Sequence, residues 1–306
     1  MQVYDVRRLR LLRELAARGT VTAVAEALAY TPSAVSQGLA HLERDTGMAL
    51  LERVGRGVRL TEAGRRLAEH ADAIIVRLES AEADLAGLAG EVAGPLRVAC
   101  FQTAAVTLVV PALIALERAH PGIEGAIADR EAEVSLPELR LGDHDLVVAE
   151  EYEHAPRRLD AALERQELGR DRLLVAVPEA HPAAARERVE LRELAGEPWV
   201  TAREDSAFAA MIVRSCRLLG GFEPAIRHRT NDLRLLSELV ARLGAVSLVP
   251  SLGREWMVPG VVLRPLDGPP LDRRIVMVER RGSQVRPAIA ALQAALVARA
   301  VELELR

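Results

Sequence analysis

Thr20-Val21-Thr22-Ala23-Val24-Ala25-Glu26-Ala27-Leu28, a short break, then Thr31-Pro32-Ser33-Ala34-Val35-Ser36-Gln37: these residues read as one short helix, a tight turn and a second helix. Thr22 is placed to cap the first helix, and Thr31-Pro32 to open the second. A threonine hydroxyl accepts an N–H left over at a helix start, and proline at the first helical position has no N–H to leave unpaired. Val24, Ala25 and Leu28 give the first helix an apolar face, and Val35, Leu39 and Leu42 give the second its own, at spacings of four and three. Ser33, Ser36, Gln37 and His41 are left facing outward. Small hydrogen-bonding side chains on a helix fit a DNA major groove, where they must approach base edges closely. The pattern is a helix-turn-helix.

Gly47 ends the second helix. Leu50 to Thr61 then forms two strand-like runs around the tip Gly55-Arg56-Gly57, a β-hairpin wing. Arg53, Arg56 and Arg59 put positive charge where a phosphate backbone would lie. The candidate DNA contacts are therefore Thr22, Pro32, Ser33, Ser36, Gln37, His41, Arg53, Arg56 and Thr61.

On these residues the chain resembles the LysR-type bacterial transcriptional regulators. The likeness runs through Gly19-Thr20 to Leu28, Thr31 to Gln37, Leu42-Glu43 to Gly47, and Leu51-Glu52-Arg53 to Leu60-Thr61-Glu62-Ala63-Gly64. It is ungapped there and continues more weakly to the C-terminus. Val21 departs from the family's usual aromatic, and Gly38 interrupts the recognition helix. Glycine at such a place costs about 1 kcal/mol relative to alanine, which closer approach to DNA would offset.

Composition agrees. The 306 residues suggest two or three compact units. No run of about twenty apolar residues and no signal peptide is evident, since the N-terminus enters a charged helix, Arg7 to Ala17. The expected location is the cytoplasm. The net charge of −4 divides unevenly. Residues 1–60 hold nine arginines against six acidic residues, a balance of +3, so residues 61–306 carry −7. A basic module on an acidic body suits a protein that meets DNA at one end. All 40 basic residues are arginine. The seven histidines form no pair at metal-ligand spacing. There is no phosphate-binding glycine loop and no nucleophile elbow, so neither a cofactor nor an enzyme is expected. Cys100 and Cys216 sit in apolar segments and read as buried reduced thiols.

Residues 61–93 carry a heptad seam: Leu67, Ala71, Ile74, Leu78, Ala81, Leu85, Leu88 and Val92. A seam this long is expected to pair with the same helix of a second subunit, and Gly94-Pro95 breaks it. Leu67, Ile74, Leu78 and Leu85 are the dimerisation candidates. A dimer holds two reading helices at fixed spacing on a two-fold symmetric site.

From Leu96 onward, strands and helices alternate. The strands expected are Leu96–Cys100, Ile123–Ala128, Asp145–Ala149, Leu173–Val177, Trp199–Thr201, Ala225–Thr230, Ala245–Pro250 and Arg274–Val278. The helices are Leu108–His120, Phe208–Leu219, Leu233–Leu243 and Val285–Leu303. This is α/β, a mostly parallel sheet with helices on both faces, behind an all-α winged-helix N-terminus. The resemblance implies a winged helix-turn-helix over 1–60, a dimerisation helix over 61–93, and a two-lobed effector domain over 94–306 like that of periplasmic binding proteins. It places lobe I at about 94–165 and 266–306 and lobe II at about 166–265.

Ligands in such sheets sit beyond the carboxyl ends of strands and at helix N-termini. Cys100, Phe101, Gln102 and Thr103, then Thr201, then Asn231 and Asp232 meet that condition, although Asn231 or Asp232 serves equally as a plain helix cap. The family's usual hydroxyl after the first strand corresponds to Thr103. A carboxylate effector would suit a helix N-terminus. Glu150-Glu151 with Glu153 forms either an acidic cleft rim or a solvated loop. The resemblance further implies an interrupted inverted repeat in double-stranded DNA as target, a homodimer or homotetramer, and RNA polymerase as an added partner.

Overall fold

The structure, a computed structural model, describes residues 4–55, 57–89, 92–153, 158–283 and 286–305. Arg56 and Val285 lie outside the described residues. The chain divides into two units, Met1–Ala89 and Gly90–Arg306.

In the first unit, α1 (Val6–Arg18), α2 (Val21–Ala27) and α3 (Pro32–Thr46) precede a hairpin, β1 (Leu51–Val54) and β2 (Gly57–Leu60), and a long helix, α4 (Glu62–Ala89). Thr20 rather than Thr22 caps α2, its hydroxyl accepting from the Ala23 N–H at 3.1 Å. Thr22 lies exposed within the helix. Thr31 caps α3 in the same way, accepting from Ala34 at 3.2 Å, with Pro32 next in line. The apolar faces close on one another: Leu9, Leu12 and Leu15 of α1, Val24 and Ala25 of α2, and Val35, Leu39 and Leu42 of α3 form one core. Each fully buried leucine or valine contributes about 1.5–3 kcal/mol over its exposed state. Gly38 belongs to this packing. A Cβ there would stand 2.4 Å from Leu11 Cδ1, so any larger residue at 38 requires that side chain to move.

The heptad seam of α4 divides into two parts. Ala68 and Ala71 are buried in the unit's own core and Leu67 packs against it. Ile74, Leu78 and Leu85 are 41%, 43% and 68% exposed. The Leu88 side chain lies outside the described residues. Leu67 is thus set against its own fold, and the apolar surface left uncovered in the single chain begins at Ile74.

The second unit holds β3 (Gly94–Cys100), α5 (Gln102–Ala104) continuing through a π-helical turn into α6 (Val110–Ala119), β4 (Ile123–Asp129), α7 (Ala132–Leu141), β5 (Leu146–Tyr152) and β6 (Leu163–Pro178). Then come β7 (Pro198–Thr201), α8 (Ala207–Ser215), β8 (Ala225–Arg229), α9 (Leu233–Leu243), β9 (Ser247–Pro250), β10 (Val261–Pro265), β11 (Asp272–Arg280) and α10 (Pro287–Glu302). β3 runs parallel to β4 and β5, and β7 parallel to β8. β11 is antiparallel to β5 and β6, and the far half of β6 is antiparallel to β9 and β10. The sheet is therefore parallel only in the heart of each lobe. β6 and β11 must carry the chain out and back, which forces them to run in opposite directions.

Two pairs of cores result. Leu146 and Val148 of β5 face the core beneath α6 and α10, while Val147 and Ala149 face the one beneath α7. A strand buried on both faces reads as a continuous apolar run. The second lobe centres on Val175, Val177, Trp199, Ile212 and Leu248, with Leu266 and Leu271 packed in it. Gln102–Ala119 is long and apolar enough by length and composition to cross a membrane. Here Leu108, Val109, Ala112, Leu113 and Leu116 are buried in the first lobe's core, so that apolar content is used in packing.

Candidate functional site

The outer face of α3 presents Pro32, Ser33, Ser36 and Gln37, all exposed, with His41 half-buried at its far end. Val35, Leu39 and Leu42 anchor the opposite face, which fixes this orientation. In the wing, Arg53 is exposed. Arg59 is already paired with Glu52, Nη2 to Oε1 at 2.8 Å, so it offers less charge to a phosphate than its type suggests. Thr61 donates to the Ala49 carbonyl at 2.8 Å and accepts from the Gly64 N–H at 3.0 Å. Its hydroxyl is used in holding the wing to the start of α4.

In the second unit a cavity of about 70 Å³ lies between the lobes, at the carboxyl ends of the strands. Phe101, Gln102 and Thr103 enter it after β3, Glu131 after β4, and Glu150 and Tyr152 from β5. Arg273 of β11 lines the same side, and Ala202, Ser206, Phe208, Thr230, Asn231 and Leu233 supply the opposite wall. Three expected residues are not part of the lining. Cys100 and Thr201 point into the protein, fully buried, because the strand pleat turns them inward. Asp232 caps α9, accepting from the Leu235 N–H at 2.7 Å.

The N-termini of α8 and α9 are already occupied, while that of α5 has no side-chain cap. The Leu233 N–H of α9 donates to Gln102 Oε1 at 3.3 Å. The Ala207 N–H of α8 donates to Glu133 Oε1 at 3.0 Å. Asn231 Nδ2 donates to Glu131 Oε1 at 3.1 Å. Each of these hydrogen bonds joins one lobe to the other, so together they latch the cleft.

Arg273 is the cavity's fixed cation, 5% exposed. It donates to Asp171 Oδ2 from Nε at 3.0 Å and Nη2 at 2.8 Å, and to Thr103 Oγ1 from Nη2 at 2.6 Å. Its guanidinium lies 4.7 Å from the centre of the Phe101 ring. Burial opposes its charge, but Asp171, Tyr152 and Glu150 more than offset that and hold its pKa above the ordinary value. Burial likewise pushes the Tyr152 phenol up, with Glu150 adding to it. Glu131 and Glu150 line the same cavity. Burial raises the Glu131 carboxyl, helped by Glu133 and Asp129, against the hydrogen bonds from Glu150 and Asn231. Of the neighbouring acids, Glu151 accepts from Arg274 Nη2 at 2.8 Å and from Arg165, and Glu153 is exposed.

Sequence reasoning missed Glu131, Arg273 and Asp171. Arg273 stands 170 residues from Thr103, and no local pattern marks such a partner. Cys100 and Cys216 are both buried, and burial pushes each thiol up to about 12. Neither is a thiolate near neutral pH, the form that reacts.

The sequence model described as bacterial regulatory helix-turn-helix protein, lysR family, matches residues 6–65. The one described as LysR substrate binding domain matches residues 89–301. Among curated proteins, the RuBisCO operon transcriptional regulator of Allochromatium vinosum is 29% identical over 99% of this chain and 98% of its own. Among solved structures, a full-length OxyR variant of Pseudomonas aeruginosa gives a TM-score of 0.67 at 20% identity, over 97% of this chain and 95% of its own. A hydrogen-peroxide-bound OxyR mutant of Corynebacterium glutamicum gives 0.58 at 25% identity, over 100% and 98%.

Proposed function

Because the chain belongs to the LysR family of bacterial transcriptional regulators, we propose that it reads an interrupted inverted repeat and that a small molecule in the interlobe cavity sets how it does so. Residues 1–60 grip the DNA, 61–93 pair the subunits, and 94–306 sense the effector. The lobes are about 94–165 with 266–306, and about 166–265. The assembly is a homodimer or a homotetramer, acting in the cytoplasm, with RNA polymerase as the partner that receives its output. It is a regulator and not an enzyme.

The observation that carries this reading is the latched cleft. A ligand that breaks Gln102–Leu233, Glu133–Ala207 or Glu131–Asn231 favours one lobe arrangement over another, and differential affinity for two arrangements is what shifts an equilibrium. Phe101, Gln102, Thr103 and Asn231 contact the effector, while Thr201 and Asp232 support its walls. A carboxylate suits this lining poorly, because the N-termini of α8 and α9 are filled and two glutamates face the space. Peroxide sensing, which the OxyR likeness suggests, would need a thiolate that neither cysteine supplies.

On the DNA side, Ser33, Ser36 and Gln37 read bases, with Pro32 and His41 beside them, and Arg53 and Arg56 hold phosphates. Gln37→Ala should weaken operator binding by about 1–3 kcal/mol and leave random DNA nearly unaffected. Arg53→Ala should weaken both, with the salt slope shallower by about one unit. Fluorescence anisotropy with operator and scrambled duplexes over a salt series separates the two effects. Equal losses on both duplexes for Gln37→Ala would remove α3 from base reading.

A further inference from the structure

We infer that Arg13 and Asp72 are positioning residues for DNA reading: their ion pair sets the angle at which α4 leaves the helix-turn-helix, and so the half-site spacing that the dimer selects. This rests on the regulator reading above, in which α4 pairs the subunits, and names what fixes its geometry. Arg13 on α1 is 2% exposed, and Glu14 beside it 1%. Arg13 Nη2 donates to Glu14 Oε1 at 2.9 Å, and its Nη1 lies 3.8 Å from Asp72 Oδ1 on α4. Arg18 Nε donates to the other Glu14 oxygen, Oε2, at 2.8 Å. Two cations and two anions thus run in one chain from α4 to the end of α1. Arg18 is followed by Gly19 and then by Thr20, the cap of α2. The chain of charges ends where the helix-turn-helix begins.

Apolar packing alone specifies this joint poorly. Among the described residues, α4 buries Ala68, Ala71 and Ile75, and Asp72 shares their stripe at helical spacing. Two alanines make a smooth surface with little ridge to interlock against α1. Burial of apolar area has no direction, so it tolerates a small roll of one helix on the other. A guanidinium paired with carboxylates does have a direction, because its fork of donors is planar and fixed. Such buried pairs add little to stability, since desolvation offsets their attraction, and apolar replacements of similar volume are often neutral or better. Geometry therefore accounts for these charges better than stability does. The lever is long. Leu85 lies 13 residues beyond Asp72, about 20 Å along the helix at about 1.5 Å per residue. A swing of about 10° at the pin moves one end against the other by about 3.5 Å, close to one base-pair step of about 3.4 Å.

The test uses the full chain and a library of randomised duplexes, selected in repeated rounds and sequenced. Wild type should recover paired half-sites at one centre-to-centre spacing. Asp72→Asn keeps the shape, removes the charge and should recover the same half-site over a spread of spacings. Fluorescence anisotropy then compares the best duplex with ones lengthened or shortened by a base pair between the half-sites. Wild type should bind these about tenfold or more weakly, and Asp72→Asn within about threefold of its best. Affinity for a duplex with a single half-site should stay within about twofold of wild type. Asp72→Glu, which keeps the charge, should retain most of the selectivity. The double variant Arg13→Met with Asp72→Leu should melt no more than about 2 °C below wild type by circular dichroism. It should tolerate altered spacing as Asp72→Asn does. Spacing selectivity unchanged in both charge-removing variants overturns the inference, as does a changed half-site sequence, which would place the network within base reading. A wild type that recovers no paired half-sites overturns the inverted-repeat reading and the inference with it, so the two failures are told apart by which protein shows them.

Discussion

Arg273 Nη2 donates to the Thr103 hydroxyl at 2.6 Å while both groups are almost fully buried. The hydroxyl expected to meet a ligand is therefore already an acceptor for a charged donor of the protein. Thr103→Val keeps the shape and removes the acceptor, so the guanidinium loses a partner it cannot replace with water. We expect a loss of about 1–3 kcal/mol in stability. Trp199 and Trp256 both lie in the second unit, so denaturant unfolding followed by tryptophan fluorescence reports on this site. Thr103→Ser should restore most of the loss. An unfolding midpoint for the valine variant equal to wild type would show that the bond contributes nothing.

The uncovered part of the α4 seam makes a second prediction. Leu78 and Leu85 are exposed in the single chain, so a charge there costs little unless another subunit covers them. Leu78→Glu and Leu85→Glu should leave the helical circular-dichroism signal intact and shift sedimentation toward the monomer, since an unpaired charge would sit in an apolar interface. Operator affinity should fall with it. An unchanged sedimentation coefficient for both variants would place the subunit contact elsewhere.

Gly38 offers a third. If α1–α3 packing requires it, Gly38→Ala drives a methyl toward Leu11 Cδ1 and costs about 1–3 kcal/mol. Combining it with Leu11→Val should recover part of that, a non-additivity expected of residues in contact. If approach to DNA were the reason, the alanine would stabilise the free protein by about 1 kcal/mol and only operator affinity would suffer. Thermal melting of the single and double variants decides.

Two carboxyls should give opposite pH signatures. Asp145 is buried, which raises its pKa, yet hydrogen bonds from Arg97 and Arg286 win and hold it below 3.8. The stability it contributes is complete above its unfolded value and is lost as pH falls through the lower native one. Asp145→Asn should therefore be less stable than wild type at neutral pH, with the gap closing below 3.8. Glu131 is raised above 4.5, so its native state holds a proton that the unfolded state has released. Stability then declines as pH rises from 4.5 through the native value. Glu131→Gln should melt higher than wild type at neutral pH, and the two should converge toward 4.5. Urea titrations at stepped pH measure both, and a Glu131→Gln advantage that persists at low pH would contradict the linkage.

The helix-turn-helix was legible because its signals are local: threonine caps, one proline and apolar residues at helical spacing. Even there the cap of α2 is Thr20, two residues before the expected Thr22, the two being equally suited by type. α7 was not foreseen, since Pro137 sits inside it and proline removes an interior hydrogen bond. The first half of β6, Leu163 to Arg172, escaped notice because Glu164, Arg165, Glu167, Arg170 and Arg172 interrupt any apolar alternation. The cavity was half visible. Residues following a strand, such as Phe101 to Thr103, announce themselves by position. Arg273 and Asp171 join the site only when two crossover strands are laid side by side.

Those strands have a last consequence. Glu179 donates its N–H to the Gly260 carbonyl at 2.8 Å, and Pro178 pairs with Val261. Residues 179 and 260 are thus neighbours, and β9 between them returns to pair with β6 from Leu173 to Ala176. The span from 179 to 260 supplies Ala202, Ser206, Phe208, Thr230, Asn231, Leu233, Leu236 and Pro250, about half of the cavity's wall. Substitutions confined to that span can therefore change half of the cavity's wall while leaving every residue of α3 as it is.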